Sequence, residues 1–232
     1  MISLKNFINL EKYTKYSAIV IILFSLVVIS LASIHHISGD GCWHIQAGKF
    51  FGERGYLPLK ENIGRDWPFS NPPVYHIIVG YLYAALNMIS HDAANFAVKL
   101  VSPFFGILAL IVSFLLIRKL YNPKTAFYSI LFLASIPIFI DYSVLGYIES
   151  SLIFFVFLSI YFLVNERIYL SGIAAGIAML AKYNGMFVLP ILIFILYKKH
   201  NLTKNFYKKS IIVIILGLIF YISIQATLKN RT

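Results

Sequence analysis

The sequence predicts an all-α, polytopic membrane helix bundle of about seven transmembrane helices, with interfacial helices in a long first outer loop. Three observations carry this reading. Of 232 residues, 59% are hydrophobic and 12% charged, an apolar share well above the roughly half expected of a soluble domain. Apolar runs at 19–34, 103–117 and 211–224 approach the ~20 residues needed to cross a hydrocarbon core of about 30 Å. Lys and Arg fall in short clusters between such runs, at Arg118-Lys119, Lys198-Lys199 and Lys208-Lys209, where they hold loops on the cytoplasmic side against anionic head groups.

The first span covers 16–36. Lys5, Lys12 and Lys15 precede it, but no small-residue cleavage site follows, so it reads as a retained anchor rather than a signal peptide. Further spans are expected at 97–117, 124–140, 149–164, 169–182, 184–197 and 210–227. Residues 35–96 form the outer loop of this single module, 1–232, because their acidic and basic residues balance and lack the positive excess of a cytoplasmic loop. Within that loop, 43–54 reads as a short amphipathic helix. The apolar stretch 74–89 begins after Pro72-Pro73 and carries His76, Asn87 and tyrosines at 75, 81 and 83, which suits a helix lying in the interface.

The stretch 169–197 is long for one span and short for two. Read as a pair of short helices turning at Asn184-Gly185, it keeps the lysines of 198–209 inside and lets Lys182 face an aqueous cavity. This gives seven crossings, with the amino terminus inside and the carboxyl terminus outside. Loops 35–96, 141–148 and 182–185 then share the outer face. The Asn201-Leu202-Thr203 sequon falls on the inner side and is expected to stay unused.

Net charge is +11, yet its distribution in loop clusters excludes nucleic acid as the partner and points to membrane lipids. A single cysteine, Cys42, excludes an internal disulfide and gives no metal signature. A divalent metal is left open as cofactor, while no Gly-rich phosphate loop is present and no nucleotide cofactor is expected. The abundance of Ile, Lys and Asn fits a prokaryotic cell membrane.

Candidate chemistry begins at Asp40, directly after the first span. A carboxylate at the bilayer edge can act as a general base, or it can cap the helix that follows. His44 and His76 are acceptor- or loop-positioning candidates, and two histidines on separate segments are only a weak metal signal. Asn71 stands before the Pro-Pro pair, which fixes an extended entry into the next helix, and Trp67 and Tyr75 read as interface anchors. Asp141 and Glu149 flank the outer end between the third and fourth spans, either as functional groups or as snorkelling loop carboxylates. Lys182 follows eleven uncharged residues, 171–181. A buried ammonium needs a counter-charge, and a lipid phosphate is a natural one.

In their order and spacing these elements resemble the GT-C superfamily, in the branch of protein O-mannosyltransferases and aminoarabinose transferases. The residues that carry the likeness are Gly39-Asp40 at the loop start, Asn71-Pro72-Pro73-Val74-Tyr75, Lys99, Asp141 or Glu149, and Gly172…Gly176…Lys182-Tyr183. The resemblance implies a membrane glycosyltransferase that uses an isoprenoid-phosphate-linked sugar. It implies Asp40 as acceptor-activating base, Lys99, Lys182 and Tyr183 as donor-phosphate partners, and Asp141 or Glu149 as a second acidic position. The acceptor, whether protein, lipid or glycan, is not specified. Two positions depart from the family pattern. The acidic pair of the first loop is here Asp40-Gly41, and Lys99 replaces an arginine, losing the bidentate fork. Larger relatives continue through more spans, so the chain is expected to be a minimal form, a fragment or one half of a complex. Two other readings stand beside the enzyme: a polar-lipid flippase, which the absence of an internal repeat disfavours, and a noncatalytic partner subunit of a membrane glycosyltransferase.

Overall fold

The computed structural model describes residues 4–37, 39–58, 60–62, 66–68 and 71–229. Ser38, Arg65, Phe69, Ser70 and residues 230–232, which the sequence reading places in the outer loop and the carboxyl-terminal tail, lie outside the described residues, as do the side chains of Glu61, Asp66 and Trp67. Among the described residues the chain is helical apart from one antiparallel pair of three-residue strands, β1 (Lys60–Asn62) and β2 (Asp66–Pro68), with Glu61 opposite Trp67.

Helix α1 (Leu4–Ile34) starts earlier than the first predicted span. Its apolar window is only 22% buried, and Ile19, Ile22, Leu23, Leu26 and Val27 face outward. An apolar stripe of this length left uncovered belongs against lipid. Helix α2 (Gly39–Arg54) follows, then α3 (Val74–Asn87), whose start Pro73 defines, and α4 (His91–Lys99), capped by the Ser90 hydroxyl, which accepts from Ala93 N. α4 runs through Leu100 into α5 (Val101–Leu120), making one 30-residue apolar rod. Among the described residues two helices, 11–34 and 91–120, are therefore long and apolar enough to cross a membrane.

The expected single span at 124–140 is two helices, α6 (Pro123–Ser135) and α7 (Pro137–Val144), bent by 69° at Ile136. Pro137 causes the break: it offers no N–H, and its ring forces the preceding residue out of the helical region, as the Ile136 ψ of 117° shows. Taken together the bent pair is apolar enough to be a third crossing. The remaining helices are α8 (Glu149–Val164), α9 (Ile168–Ala181), a 3-10 turn at Tyr183–Phe187, α10 (Val188–His200) and α11 (Lys204–Lys229). The expected turn at Asn184-Gly185 is therefore present. α10 comes back beside α9, since Lys199 near its end pairs with Glu166 just before α9 begins.

Three apolar clusters hold the bundle together. One joins α1, α5, α6 and α7 around Phe24, Leu110, Ile130 and Phe139; a second joins α2 to α5 around Tyr75, Val79 and Phe105; the third joins α8 to α11 around Leu163, Leu192 and Val213. Polar side chains inside α8 satisfy themselves: the hydroxyls of Ser150, Ser151 and Ser159 each donate to the carbonyl three residues back, which removes the cost of an unpaired donor away from water.

The two ends of the bundle differ in character. At one end the rings of Tyr13 and Tyr16 meet Phe127 and Tyr128, Lys199 pairs with Glu166, and Lys209 bonds His200. At the other end, α2 lies over the 145–149 turn. A Cβ placed on Gly41 would sit 1.7 Å from the Leu145 carbonyl oxygen, so only glycine permits this approach. Replacing Gly41 by Ala is therefore expected to lift α2 off the turn, with a loss of about 1–3 kcal/mol. A thermal unfolding midpoint of purified Gly41→Ala equal to that of the wild type would show that the contact is not made.

Candidate active site

Glu149 opens α8, and Lys182 ends α9 in an extended conformation, with ψ 144°. These local geometries aim the two side chains at each other, and Lys182 Nζ donates to Glu149 Oε1. The side chains are 33% and 19% exposed respectively, so the pair is only partly buried. Glu149 Oε2 is buried and finds no hydrogen-bond partner among the described residues. The 3-10 turn behind Lys182 is pinned down: a Cβ on Gly185 would meet the Ala178 carbonyl at 2.3 Å. The turn therefore folds tightly onto the end of α9 and fixes where the lysine emerges.

The segment leading into Glu149 is bolted to the long loop by hydroxyls. Ser102 Oγ donates to the Tyr147 carbonyl at 3.0 Å, which leaves its lone pair for the Tyr75 hydroxyl at 2.8 Å; Ser150 Oγ donates to the same carbonyl. Tyr75, read from sequence as an interface anchor, is fully buried and acts as this tie. Burial pushes its phenol above the ordinary range, so it is a fixed donor. The tie brings α3, α5 and the start of α8 to one point.

Helices α2 and α3 run side by side in the same direction, and their contact brings together His44 and His76. His44 Nδ1 lies 3.0 Å from His76 Nε2, and His76 Nδ1 lies 3.2 Å from the Pro72 carbonyl. Burial lowers both imidazoles, His44 to about 4 and His76 to about 3; the Lys182 ammonium adds to the effect on His44. Geometry gives the same link: the turn before α8 touches Gly41 and Ile45 of α2, and Glu149, which follows that turn, pairs with Lys182. The Trp43 ring stands edge-on to both histidines. Among the described residues no group of three His, Cys, Asp or Glu side chains forms a metal-binding set.

The remaining sequence-predicted residues distribute as follows. Asp40 lies in the first turn of α2, exposed, one turn before His44. Its carboxylate sits at the positive end of that helix. Lys99 is half-buried at the end of α4 and close enough to Lys49 to help lower that ammonium, after the larger effect of burial. Neither Asp40 nor Lys99 makes an ion pair or hydrogen bond with the Lys182 cluster among the described residues. Asp141 is exposed on α7, so of the two acidic candidates Glu149 is the one that meets Lys182. Asn71 is half-buried before Pro72, and Tyr183 is half-exposed beside Lys182.

A cavity of about 690 Å³ continues along α2 from Trp43, lined among others by Gln46, Lys49, Glu53, Tyr83 and Asn95. Lys49 crosses its wall, donating to Asn95 Oδ1 at 2.6 Å and standing 5.6 Å from the Tyr83 ring centre. Sequence reasoning missed Lys49, the Tyr75–Ser102 tie and the His44–His76 bond. Lys49 was visible as a basic residue on the polar side of an amphipathic helix; the other two depend on which helix faces which.

A bundle of apolar helices that gathers a carboxylate, ammonium groups and imidazoles at one end has the form of an integral membrane transferase. The profile of a family described as dolichyl-phosphate-mannose-protein mannosyltransferase matches residues 70–224, about two thirds of the chain, and the protein belongs to that family. It is thereby a GT-C membrane glycosyltransferase, mannosyltransferase-like, that draws on a lipid-linked sugar. The match includes His76, Lys99, Asp141, Glu149 and Lys182, and begins after Asp40 and His44. No curated protein matches the chain.

Removing one member of a partly buried ion pair strands the other charge, whereas removing both does not. Lys182→Met is expected to destabilise the fold by about 2 kcal/mol, less than a fully buried pair because solvent screens it. Adding Glu149→Leu should recover most of that loss. Unfolding midpoints that fall additively in the double variant would mean the two charges do not interact.

Proposed function

We propose that the protein transfers sugar from an isoprenoid phosphate to an acceptor on the outer face of the membrane, with Asp40 as general base and Lys182 as the principal phosphate partner. The observation that supports this most is the Lys182–Glu149 pair beside α2, at the end of the bundle opposite the basic clusters. The positive-inside tendency puts those clusters in the cytoplasm and the pair outside. In this reading α1, α5, α6 with α7, α8, α9, α10 and α11 make seven crossings, and α2 and α3 lie in the outer interface. The carboxyl terminus is then outside. Lys99 and Tyr183 are assigned to the donor site with Lys182, and Asn71 and, on α3, His76 to acceptor or loop positioning beside it.

The chemistry follows from charge. The donor is a phosphodiester with one negative charge, and its leaving group is a phosphate monoester that gains a second as the sugar's C1–O bond breaks. An ammonium already fixed in place lowers the energy of that developing charge without reorganising. Glu149 holds Lys182 in position and balances it before donor arrives, and the phosphate then meets a partly buried, oriented cation. On the opposite side of C1 the acceptor's hydroxyl or amine attacks as its proton passes to Asp40. One displacement inverts the anomeric centre. We assign the acceptor to the cavity that continues from Trp43, whose walls are aromatic, amide and charged.

A second reading, a flippase for the same lipid, uses the same cations but needs a polar route to the inner end. The described interior between the ends is lined by apolar clusters, which favours transfer over transport. A noncatalytic partner subunit would bind donor and transfer only when another polypeptide is added.

Asp40→Asn keeps size and removes basicity. In proteoliposomes given dolichyl-phosphomannose and a mixture of peptide and glycan acceptors, it is expected to lower kcat by about 100- to 10,000-fold with little change in KM for donor. Undiminished turnover would take Asp40 out of the base role. Donor translocated intact by the wild type, with no sugar transferred, would establish the flippase.

A further inference from the structure

We infer that His44 reads the donor sugar: its Nε2 accepts a hydrogen bond from one O–H or N–H of the sugar held beside Lys182, and His76 is the positioning residue that fixes it for this. The inference rests on the proposed function, because it takes the sugar to lie next to the phosphate partner.

The tautomers follow from a carbonyl. The Pro72 oxygen can only accept, so His76 Nδ1 carries the proton in that 3.2 Å contact. A neutral His76 then has only a lone pair at Nε2, and His44 Nδ1 must donate to it across 3.0 Å. His44 is left with an unprotonated Nε2, which has no hydrogen-bond partner among the described residues. His44 is 7% exposed and His76 fully buried, and the Trp43 edge closes over both rings. Neither imidazole can rotate without breaking this chain. Glu149 Oε2, Ser171 Oγ and Ser210 Oγ are the fully buried unpaired side-chain atoms among the described residues; His44 Nε2 keeps contact with solvent, so a sugar hydroxyl can reach it and take the place of water.

The same surroundings exclude His44 as the base. Taking up a full proton would place a cation in a poorly solvated position within reach of the Lys182 ammonium; the burial and, after it, that charge both oppose it. Exposed Asp40, one turn earlier on α2, carries no such penalty. His44 therefore stays neutral through the reaction and recognises by geometry. It can accept from a hydroxyl or an amine, and it rejects an ether, a fluorine or a carboxylate at that place. Sites that hydrogen-bond a substrate group discriminate strongly against analogues lacking it.

The full chain in nanodiscs, with ¹⁵N-labelled imidazoles, is titrated with dolichyl-phosphomannose and its monodeoxy analogues, and transfer is assayed in parallel. His44 is expected to be protonated at Nδ1 alone, and its Nε2 resonance to move on binding of every donor but one. That one deoxy donor should lose about 10- to 100-fold in kcat/KM. His44→Phe should erase the difference, while His44→Gln, which keeps an acceptor oxygen, should retain it. His76→Phe should weaken it by freeing the tautomer, and the pH profile of kcat should stay as in the wild type for all three variants. Protonation of His44 at Nε2, a donor that fails to bind or binds without moving that resonance, or discrimination that survives His44→Phe would each overturn the inference. Transfer without the shift sinks this inference alone; the shift without transfer sinks the enzyme reading alone.

Discussion

The ion pair between Lys182 and Glu149 is the constraint around which the rest of this end of the molecule is arranged. An ammonium at the end of an otherwise uncharged helix is stable at a bilayer boundary only if a counter-charge meets it, and the first residue of α8 supplies one. For that encounter α9 must stop at Ala181, the following turn must fold tightly onto Ala178, and the 145–149 turn must be held against α3 and α5. Gly185, Gly41 and the Tyr75–Ser102–Tyr147 hydroxyl chain meet those requirements. Packing inside the bundle is mostly nonspecific burial; specificity is concentrated where polar groups must be satisfied.

On the proposed reading, that arrangement lets a chain with few charges make a reactive site. Asp40, His44 and Lys182 differ in solvent contact, and we assign their roles by it: the exposed carboxylate as base, the buried imidazole as recognition group, and the ammonium, a third exposed and already paired, as partner of the leaving phosphate. One helix, α2, carries two of these groups a single turn apart, and its glycine contact with the Leu145 carbonyl sets their distance from the third.

Much of the fold was legible in the sequence because lipid imposes a crude code. Residues 149–164 coincide with α8, 169–182 with α9 to within a residue, and 74–89 with α3 plus its exit turn. The break at Ile136 was not foreseen, although Pro137 marked it, because the apolar run continues across the proline and hydropathy alone does not register a missing N–H. The start of α1 was placed too late for the converse reason: its first residues are polar yet helical. In the site, Lys182 stood out by isolation. Its partner did not, since Asp141 and Glu149 looked equivalent until the bend after α6 and the turn before α8 directed one outward and the other inward. His44 and His76 are 32 positions apart, and nothing in either local stretch announces the other. The family match, beginning at residue 70, covers the helices that hold the pair and leaves α2 to be argued from its own contacts.

Exchanging the two charges separates architecture from chemistry. With Glu149→Lys and Lys182→Glu combined, the ion pair is kept and the unfolding midpoint should stay near that of the wild type, but the cation no longer lies where the leaving phosphate develops its charge. Sugar transfer from dolichyl-phosphomannose by the exchanged protein should then fall at least about 100-fold. A folded, exchanged protein that transfers sugar at the wild-type rate would contradict the account, because the pair would then serve the fold alone.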